Sequence, residues 1–188
     1  MFKSTLALAA ALIIAACPVF AAKKVTVGDI IYSVDTGKKT AKVVGRTKAL
    51  EESGKAKIKG TVTVDGVACT VTAIDKEAFY GAHLFSLSIP ATVKTIGTRA
   101  FASNFLSKLT LPEDLTIIGA SAFDEALYNS ADLVIPKKVT IIRKNAFRGC
   151  PLKSLTFAGN KIEEIGDYAF NSASNTFTSI TIPAVDVL

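Results

Sequence analysis

The 188-residue sequence has no tryptophan, one methionine, one histidine and three cysteines. The single histidine, His83 in "YGAHLF", has no serine, cysteine or carboxylate at a spacing that suggests a catalytic pair. The cysteines form no C-x-x-C motif or Cys/His cluster, so no zinc site is predicted. Glycines occur singly, which argues against a phosphate-cradling loop. We therefore predict no catalytic residue, no metal and no cofactor, and that the protein is not an enzyme.

A continuous basic face is also lacking. Residues 23–69 hold ten Lys/Arg against five Asp/Glu, whereas residues 70–188 hold eleven of each. Nucleic-acid binding requires a contiguous set of cations that displaces counterions, and the lysines here are scattered between predicted strands. This pattern favours solvated strand edges over a nucleic-acid site. The acidic pairs, such as Asp124-Glu125, are predicted to be exposed turn charges, since calcium needs more oxygen donors at ordered spacing.

Long apolar runs are absent after the first residues. The opening "MFKSTLALAAALIIAACPVFAA" has an early cation, an apolar run and small residues at its end, which is the layout of a secretory signal. The run is shorter than the roughly 20 residues of a membrane-spanning helix. We predict a signal peptide over residues 1–21, cleaved after Ala21, no transmembrane helix, and a secreted or cell-surface protein. Alternatively, "IAAC" resembles a lipobox, in which case Cys17 would be lipidated and would anchor the protein.

What the sequence does contain is an internal repeat. The dipeptide Ala-Phe recurs at intervals of 22, 22, 24 and 23 residues, an isoleucine lies four residues before each alanine, and an L-x-x-L-x-L pattern follows each phenylalanine. The phenylalanines are Phe79, Phe101, Phe123, Phe147 and Phe170, and the isoleucines are Ile74, Ile96, Ile118, Ile142 and Ile165. Five copies in one register indicate a repeat architecture.

Each repeat combines two periodicities. In "LSKLTLP", Leu109 and Leu111 alternate with Thr110, which predicts a short strand with the leucines on one face. In "IGTRAF", the spacing and the glycine predict a short helical, 3₁₀ or other tight turn that buries Ala-Phe. A unit this small cannot bury its apolar face alone, whereas stacked copies can. The repeat is therefore predicted to be one coil of a solenoid, with a strand on one side and a turn on the other.

The combination I-G-x-x-A-F and L-x-x-L-x-[IL]-P resembles the BspA-type leucine-rich repeat of secreted and surface proteins. The resemblance implies a leucine-rich repeat solenoid over residues 71–188, with five repeats of about 23 residues. It also implies a function in adhesion, to host extracellular matrix or to other cells. Arg143 after Ile142, Ala158 in place of a strand-ending proline, and Ser130 in place of leucine depart from the pattern. We expect irregular coils around units three and four.

Residues 22–70 are predicted to form an N-terminal β-hairpin capping region. The stretch "TVTVDGVACTV" has alternating β-forming residues around Asp65-Gly66, a dipeptide favoured in type I′ turns. Such a hairpin would cover the apolar end of the first coil. At the other end no polar cap is visible, so the C-terminal edge is predicted to be exposed and prone to self-association, or partly self-capped.

The two cysteines after the predicted signal are expected to be free. Cys150 occupies a small-residue core position three residues after Phe147, and Cys69 precedes the first coil. With about 4.8 Å per stacked strand, the two should be separated by about 15 Å or more, which exceeds the ~7 Å Cα limit for a disulfide.

The predicted binding surface is the outer face of the leucine strands. Its outward residues form columns across the five strands, in a face about 20 Å wide, narrow against a standard interface of about 800 Å² per partner. Serine and threonine are also ordinary strand formers, so plain sheet surface is the competing interpretation. The columns are Ser88, Thr110, Val134, Thr156 and Thr181; Ser86, Lys108, Asp132, Ser154 and Ser179; and Phe85, Ser107, Ala131, Lys153 and Thr178.

Two functional hypotheses follow. The first is a secreted or cell-surface repeat protein that binds other proteins, most plausibly in adhesion. The second is a self-associating envelope or scaffold protein without a host ligand. The scarcity of aromatic residues on the strand face, apart from Phe85, predicts weak or multivalent contact.

Overall fold

The structure, a computed structural model, describes residues 22–129, 131–172 and 177–181. The predicted signal peptide, Cys17 and Ser130 lie outside the described residues. The described residues form fourteen strands and one helix, with α1 between β3 and β4. Their bounds are β1 Lys23–Val27, β2 Ile30–Asp35, β3 Thr40–Arg46, α1 Lys48–Ser53, β4 Lys55–Lys57, β5 Thr61–Val64, β6 Val67–Ile74, β7 Ser86–Ser88, β8 Thr95–Ile96, β9 Ile117–Ile118, β10 Ala131–Ile135, β11 Ile141–Ile142, β12 Leu152–Phe157, β13 Glu164–Ile165 and β14 Ser179–Thr181.

The repeats stack as five coils, numbered one to five by Phe79, Phe101, Phe123, Phe147 and Phe170. These phenylalanine rings form a continuous stack along the array, with centroids 5.2 to 5.4 Å apart and nearly parallel planes. The first four rings are fully buried. The predicted solenoid is confirmed: one residue type recurs at one level of every coil and is buried only because its neighbours stack on it.

The repeated isoleucines form a second line of strands that the sequence analysis did not predict. The ends of β6, β8, β9, β11 and β13 pair in parallel, with Ile74, Ile96, Ile118, Ile142 and Ile165 in register. Together with β1, β2, β3 and β5 they make a nine-stranded sheet, which we call the isoleucine sheet. We predicted one strand and one turn per coil, whereas most coils have two strand-like sides joined by a turn.

The turn that carries each phenylalanine is a tight, non-helical turn. Two residues before each phenylalanine the backbone is left-handed, as at Glu77 (φ 56°) and Asn145 (φ 58°). A left-handed residue ends helical geometry, so the tight-turn alternative is correct and the helical and 3₁₀ alternatives are wrong.

Hydrogen bonds between successive turns all run in one direction. The N–H groups of Glu77, Phe79 and Gly81 in coil one donate to carbonyl oxygens of coil two, at 2.8 to 3.0 Å. The same three bonds recur at each step as far as coil five. Each turn therefore offers its carbonyl groups to the coil before it and its N–H groups to the coil after it.

The leucine strands are less regular than predicted. β10, β12 and β14 form one parallel sheet, and β4 and β7 form another. Residues 107–111, all within the described part of the chain, form no strand. On the leucine side, coil two pairs with coil three only through the bridge Leu106–Leu127 among the described residues. We expected irregularity around units three and four. A register shift does occur between Ala131 and Asp132, but the larger break is in coil two, where the sequence pattern is most regular.

The N-terminal region contains more than hairpins. β3 pairs in parallel with β6, and β4 pairs in parallel with β7, while α1 connects β3 to β4 and buries Leu50. These elements make an additional irregular coil in register with coil one. The predicted type I′ turn is confirmed, since Asp65 (φ 50°) and Gly66 (φ 77°) both have positive φ. The hairpin of β1 and β2 extends the isoleucine sheet beyond β3.

Arg46, at the end of β3, covers the N-terminal end of the turn column. Its Nη1 donates to the carbonyl of Ala78 at 3.2 Å and its Nη2 to the carbonyl of Tyr80 at 2.8 Å. These carbonyls correspond to those that accept turn hydrogen bonds in later coils, and coil one has no preceding turn of that type. The Glu51 carboxylate from α1 lies 2.9 Å from Nη2 and balances the charge. One guanidinium thus satisfies two otherwise orphaned acceptors.

Asn104 is the one buried polar or charged side chain among the described residues. Its amide nitrogen donates to the carbonyls of Phe79 and Phe101, and its Oδ1 accepts from the N–H of Leu84 at 2.8 Å. Cys150, at the same position of coil four, donates its thiol hydrogen to the Phe123 carbonyl at 3.0 Å. In coils two and four, the residue three positions after the stacked phenylalanine therefore donates a hydrogen bond to a backbone carbonyl of the preceding coil.

Candidate interaction surfaces

The predicted strand-face residues are at the surface. Twelve of the fifteen are exposed, and Ala131, Ser154 and Thr156 are partly buried. Across β10, β12 and β14 the predicted columns are correct: Asp132 pairs with Ser154 and then Ser179, and Val134 pairs with Thr156 and then Thr181. On this part of the face the alternation of the sequence places side chains as predicted.

The prediction of one continuous face across five leucine strands is wrong. Ser86 and Ser88 of β7 lie beside Lys55 and Lys57 of β4, not beside a strand of coil two. Because residues 107–111 form no ladder, the face is divided into two patches. Thr110 and Lys108 belong to the segment that separates them.

A groove of about 320 Å³ lies beside this division. Four predicted site residues line it: Lys108, Thr110, Asp132 and Val134. Leu109 and Leu111, both buried, provide its apolar part. We call this the strand-face groove. It combines apolar surface with both signs of charge, which a flat hydroxyl-rich sheet would not.

Several of the predicted hydroxyl groups are already engaged within the chain. The Oγ of Ser107 donates to the Phe85 carbonyl at 3.2 Å, and the Oγ1 of Thr178 donates to the Lys153 carbonyl at 3.0 Å. The Ser154 hydroxyl donates to the Asp132 carboxylate. These side chains connect neighbouring coils, so the charged groups of Lys108, Asp132 and Lys153 are the stronger candidates for contact with a partner.

The outer face of the isoleucine sheet is a second surface, which sequence reasoning missed. Its outward column runs through Lys42, Ala73, Thr95, Ile117, Ile141 and Glu164. A groove of about 470 Å³ lies on it. Gly119 allows the coils to approach closely there, because a Cβ at this position would lie 2.6 Å from the backbone of Gly97. The recurring isoleucine, which is followed by glycine at Gly97, Gly119 and Gly166, was the signal for this face, but two-residue strands are too short to show alternation.

An ion pair marks one end of that groove. The Lys42 ammonium lies 2.7 Å from the Asp75 carboxylate, and their hydrogen bond holds the pKa of the Asp75 carboxyl below its ordinary value. Asp75 is thus charged at neutral pH and fixes Lys42 across the coil boundary.

The histidine and the two cysteines, the side chains most capable of covalent chemistry, pack against their neighbours. His83 is exposed and stacks on Phe105, with ring centroids 6.1 Å apart. Cys69 and Cys150 are free and buried. Burial, the dominant cause, raises the pKa of the Cys150 thiol to about 11, so it is a neutral thiol at physiological pH and a poor nucleophile. Among the described residues, no group of three or more His, Cys, Asp or Glu side chains could hold a metal ion.

Comparison with known proteins identifies the repeat. Residues 125–187 match the family described as "BspA type Leucine rich repeat region (6 copies)". This segment of the chain is similar to BspA-type leucine-rich repeats. The matched segment begins in coil three, and coils one and two stack on it with the same phenylalanine and isoleucine register. None of the curated proteins matches the sequence.

Solved leucine-rich repeat proteins of bacteria share this fold. A leucine-rich repeat protein from Bacteroides capillosus is 21% identical over 86% of this chain and 99% of its own, with a TM-score of 0.51. The T. pallidum leucine-rich repeat protein is 19% identical over 85% of this chain and 82% of its own, with a TM-score of 0.63. A leucine-rich repeat protein from Bacteroides ovatus is 22% identical with a TM-score of 0.53, and the match spans about half of it, 53%. The described solenoid thus has the fold of these bacterial leucine-rich repeat proteins. None of the described helices is long and apolar enough to cross a membrane.

Proposed function

We propose that this protein is a secreted or cell-surface repeat protein that binds other proteins through its leucine-strand face, in adhesion to extracellular matrix or to other cells. The observation that carries the proposal is the strand-face groove. It places Lys108 and Asp132 beside buried leucine side chains on the surface of a rigid solenoid. Partly apolar clefts with a few charged groups are typical of protein interfaces. The BspA-type match supports the same class of function.

The proposal predicts that charge on the strand face controls binding. Replacing Lys108, Asp132 and Lys153 together with alanine should weaken binding to a panel of immobilised extracellular matrix proteins by about tenfold, since it removes three exposed charges from the contact. Surface plasmon resonance at two salt concentrations would measure the loss. A matched control replaces Lys137, Lys144 and Asp167, which are exposed and lie outside the predicted columns. Equal binding by both triple variants would reject the strand face as the site.

Self-association in an envelope or scaffold is the second candidate function. It is supported by apolar side chains exposed on the last described coil, namely Ile165 (51%), Tyr168 (66%) and Ile180 (58%). Apolar side chains exposed together are typical of contact surfaces. Light scattering of the purified protein over a hundredfold concentration range should then show a rising mass, which Ile180→Lys should suppress. A constant monomeric mass would eliminate this function and leave adhesion as the proposal.

A further inference from the structure

Four aromatic side chains are exposed on coils one to three, in the turns or just after them. They are Tyr80, Phe85, Phe105 and Tyr128, the last two 53% and 71% exposed. His83 lies parallel to the ring of Phe105. Exposed aromatic side chains are typical of interaction sites. None of these four side chains lines the strand-face groove.

Two of these rings already carry cations from the chain itself. The guanidinium of Arg99 lies over the Tyr80 ring, with its carbon 4.2 Å from the centroid, and the Lys55 ammonium lies 5.7 Å from the centroid of Phe85. A cation within about 6 Å of an aromatic face is attracted by the ring quadrupole. Across residues 22–129, 131–172 and 177–181, no cation lies over Phe105 or Tyr128. Of the four exposed rings, Tyr80 and Phe85 thus have a cation of the chain against one face, whereas Phe105 and Tyr128 do not.

The open rings border a pocket of about 330 Å³. Phe105 and Tyr128 form its aromatic walls, Leu127 and Asn104 line its buried part, and Ser103 and Glu125 complete it. This volume is at the lower end of the range for ligand pockets, suitable for one side chain. Asn104 is fixed by its four hydrogen bonds to coils one and two. The pocket therefore exists before any partner arrives.

Two residues of the pocket, Ser103 and Glu125, occupy a repeat position at which coils one and four have glycine. Two residues after the phenylalanine of coils one to four the backbone is left-handed, and this position is Gly81 in coil one and Gly149 in coil four. In coils two and three it is Ser103 (φ 56°) and Glu125 (φ 53°). Such a backbone is unfavourable for a residue with a Cβ. Backbone preference favours glycine here, although the same turns hold other non-glycine residues at positive φ, such as Glu77 and Asn145.

The charge of the pocket is negative. Arg148 forms a bidentate pair with Asp124, at 2.9 and 3.0 Å, while its distance to the Glu125 carboxylate is 3.8 Å. The Arg148 guanidinium thus lies near two carboxylates but forms hydrogen bonds with Asp124 only. Glu125, whose side chain is largely exposed, retains an unbalanced charge at the rim of the pocket.

We propose that this pocket binds the side chain of an arginine or lysine presented by a partner protein. The cation would lie against Phe105 or Tyr128, as Arg99 lies on Tyr80, and would pair with the carboxylate of Glu125. The proposal deepens the proposed function, because it names a chemistry for the partner, but it concerns a different surface from the strand face. The two can therefore fail separately.

The test uses the purified protein labelled with ¹⁵N and two blocked pentapeptides, in which a central arginine or a central glutamate is flanked by glycines. The arginine peptide should shift the amide signals of Phe105, Glu125 and Tyr128, and the glutamate peptide should not. Glu125→Gln should raise the Kd for the arginine peptide about fivefold, the size of an exposed ion pair. Tyr128→Leu should also weaken binding, whereas Tyr168→Leu, a change at a similarly exposed tyrosine on coil five, should not.

Glu125→Gly separates binding from folding. It restores the residue that coils one and four have at this position, so we expect the melting temperature to rise by about 2 °C while arginine binding is lost. The strand-face triple variant should bind the arginine peptide as the native protein does. Identical titration of native protein and Glu125→Gln would overturn the proposal. So would equal shifts with a neutral methyl glucoside, because the pocket would then be a sugar site.

Discussion

Replacing Phe123 with alanine should lower the free energy of unfolding by about 3–5 kcal/mol. Phe123 is fully buried, and its ring lies 5.2 Å from Phe101 on one side and 5.2 Å from Phe147 on the other. Its removal leaves a cavity that borders two coil interfaces at once. In a solenoid each coil contacts only its neighbours, so no distant packing compensates for the loss. Equilibrium urea unfolding followed by circular dichroism would measure the change.

The control for this substitution is Phe105→Ala. It removes the same side chain from an exposed corner of coil two, where the ring contacts His83. We expect it to cost less than about 1 kcal/mol, as is usual for exposed positions. If Phe123→Ala and Phe105→Ala unfolded at the same urea concentration, the phenylalanine stack would not be the core of the array.

The second large effect is expected at Arg46. Arg46→Met retains much of the apolar stem but removes the two donors to the Ala78 and Tyr80 carbonyls and leaves Glu51 without its partner. Leaving an acceptor unpaired costs about 1–3 kcal/mol when it is buried. The bond to Ala78 is partly buried and the bond to Tyr80 is exposed, so we expect a loss of about 2 kcal/mol. Arg46→Lys should recover less than half of it, because a single ammonium cannot reach both carbonyls with the geometry of a guanidinium.

Chemical denaturation and hydrogen exchange would together locate this effect. The amides of coil one should exchange faster in Arg46→Met, whereas those of coil four should change little, since the end coil is affected first. Arg99→Met is the matched control: Arg99 is partly exposed and pairs with Glu77 at 3.4 Å, which predicts a change of less than about 1 kcal/mol. Equal losses in the two variants would show that Arg46 does not cap the array.

The parts of the fold that sequence predicted are those set by side-chain type at a fixed interval. Phe79 to Phe170 and Ile74 to Ile165 recur in register, and stacking follows from that register alone. Pairing does not follow in the same way, because a ladder needs a neighbouring backbone at about 4.8 Å on both sides. "LSKLTLP" has ideal alternation, and Leu109 and Leu111 are buried as predicted, yet this segment has no strand partner.

The same distinction applies to the candidate sites. Exposure of Lys108, Asp132 and Lys153 follows from alternation and was predicted. The strand-face groove exists because residues 107–111 form no strand, and the pocket beside Phe105 and Tyr128 is lined by residues from three coils. Neither therefore has a local sequence pattern. Arg46 was also missed, since its role depends on which backbone carbonyls the stacking leaves unpaired.

The one-way ladder of the turn column gives the solenoid a polarity. Every turn presents carbonyl groups toward the N-terminal side and N–H groups toward the C-terminal side, and Arg46 already occupies the carbonyl end. A second copy that stacked turn upon turn by the same end would oppose N–H to N–H or carbonyl to carbonyl. Coil-on-coil assembly must therefore be head-to-tail, a heterologous contact and not a two-fold one. Because Arg46 and the irregular N-terminal coil already cover the acceptor end, such assembly requires both to be displaced, and together they oppose open-ended growth of the array.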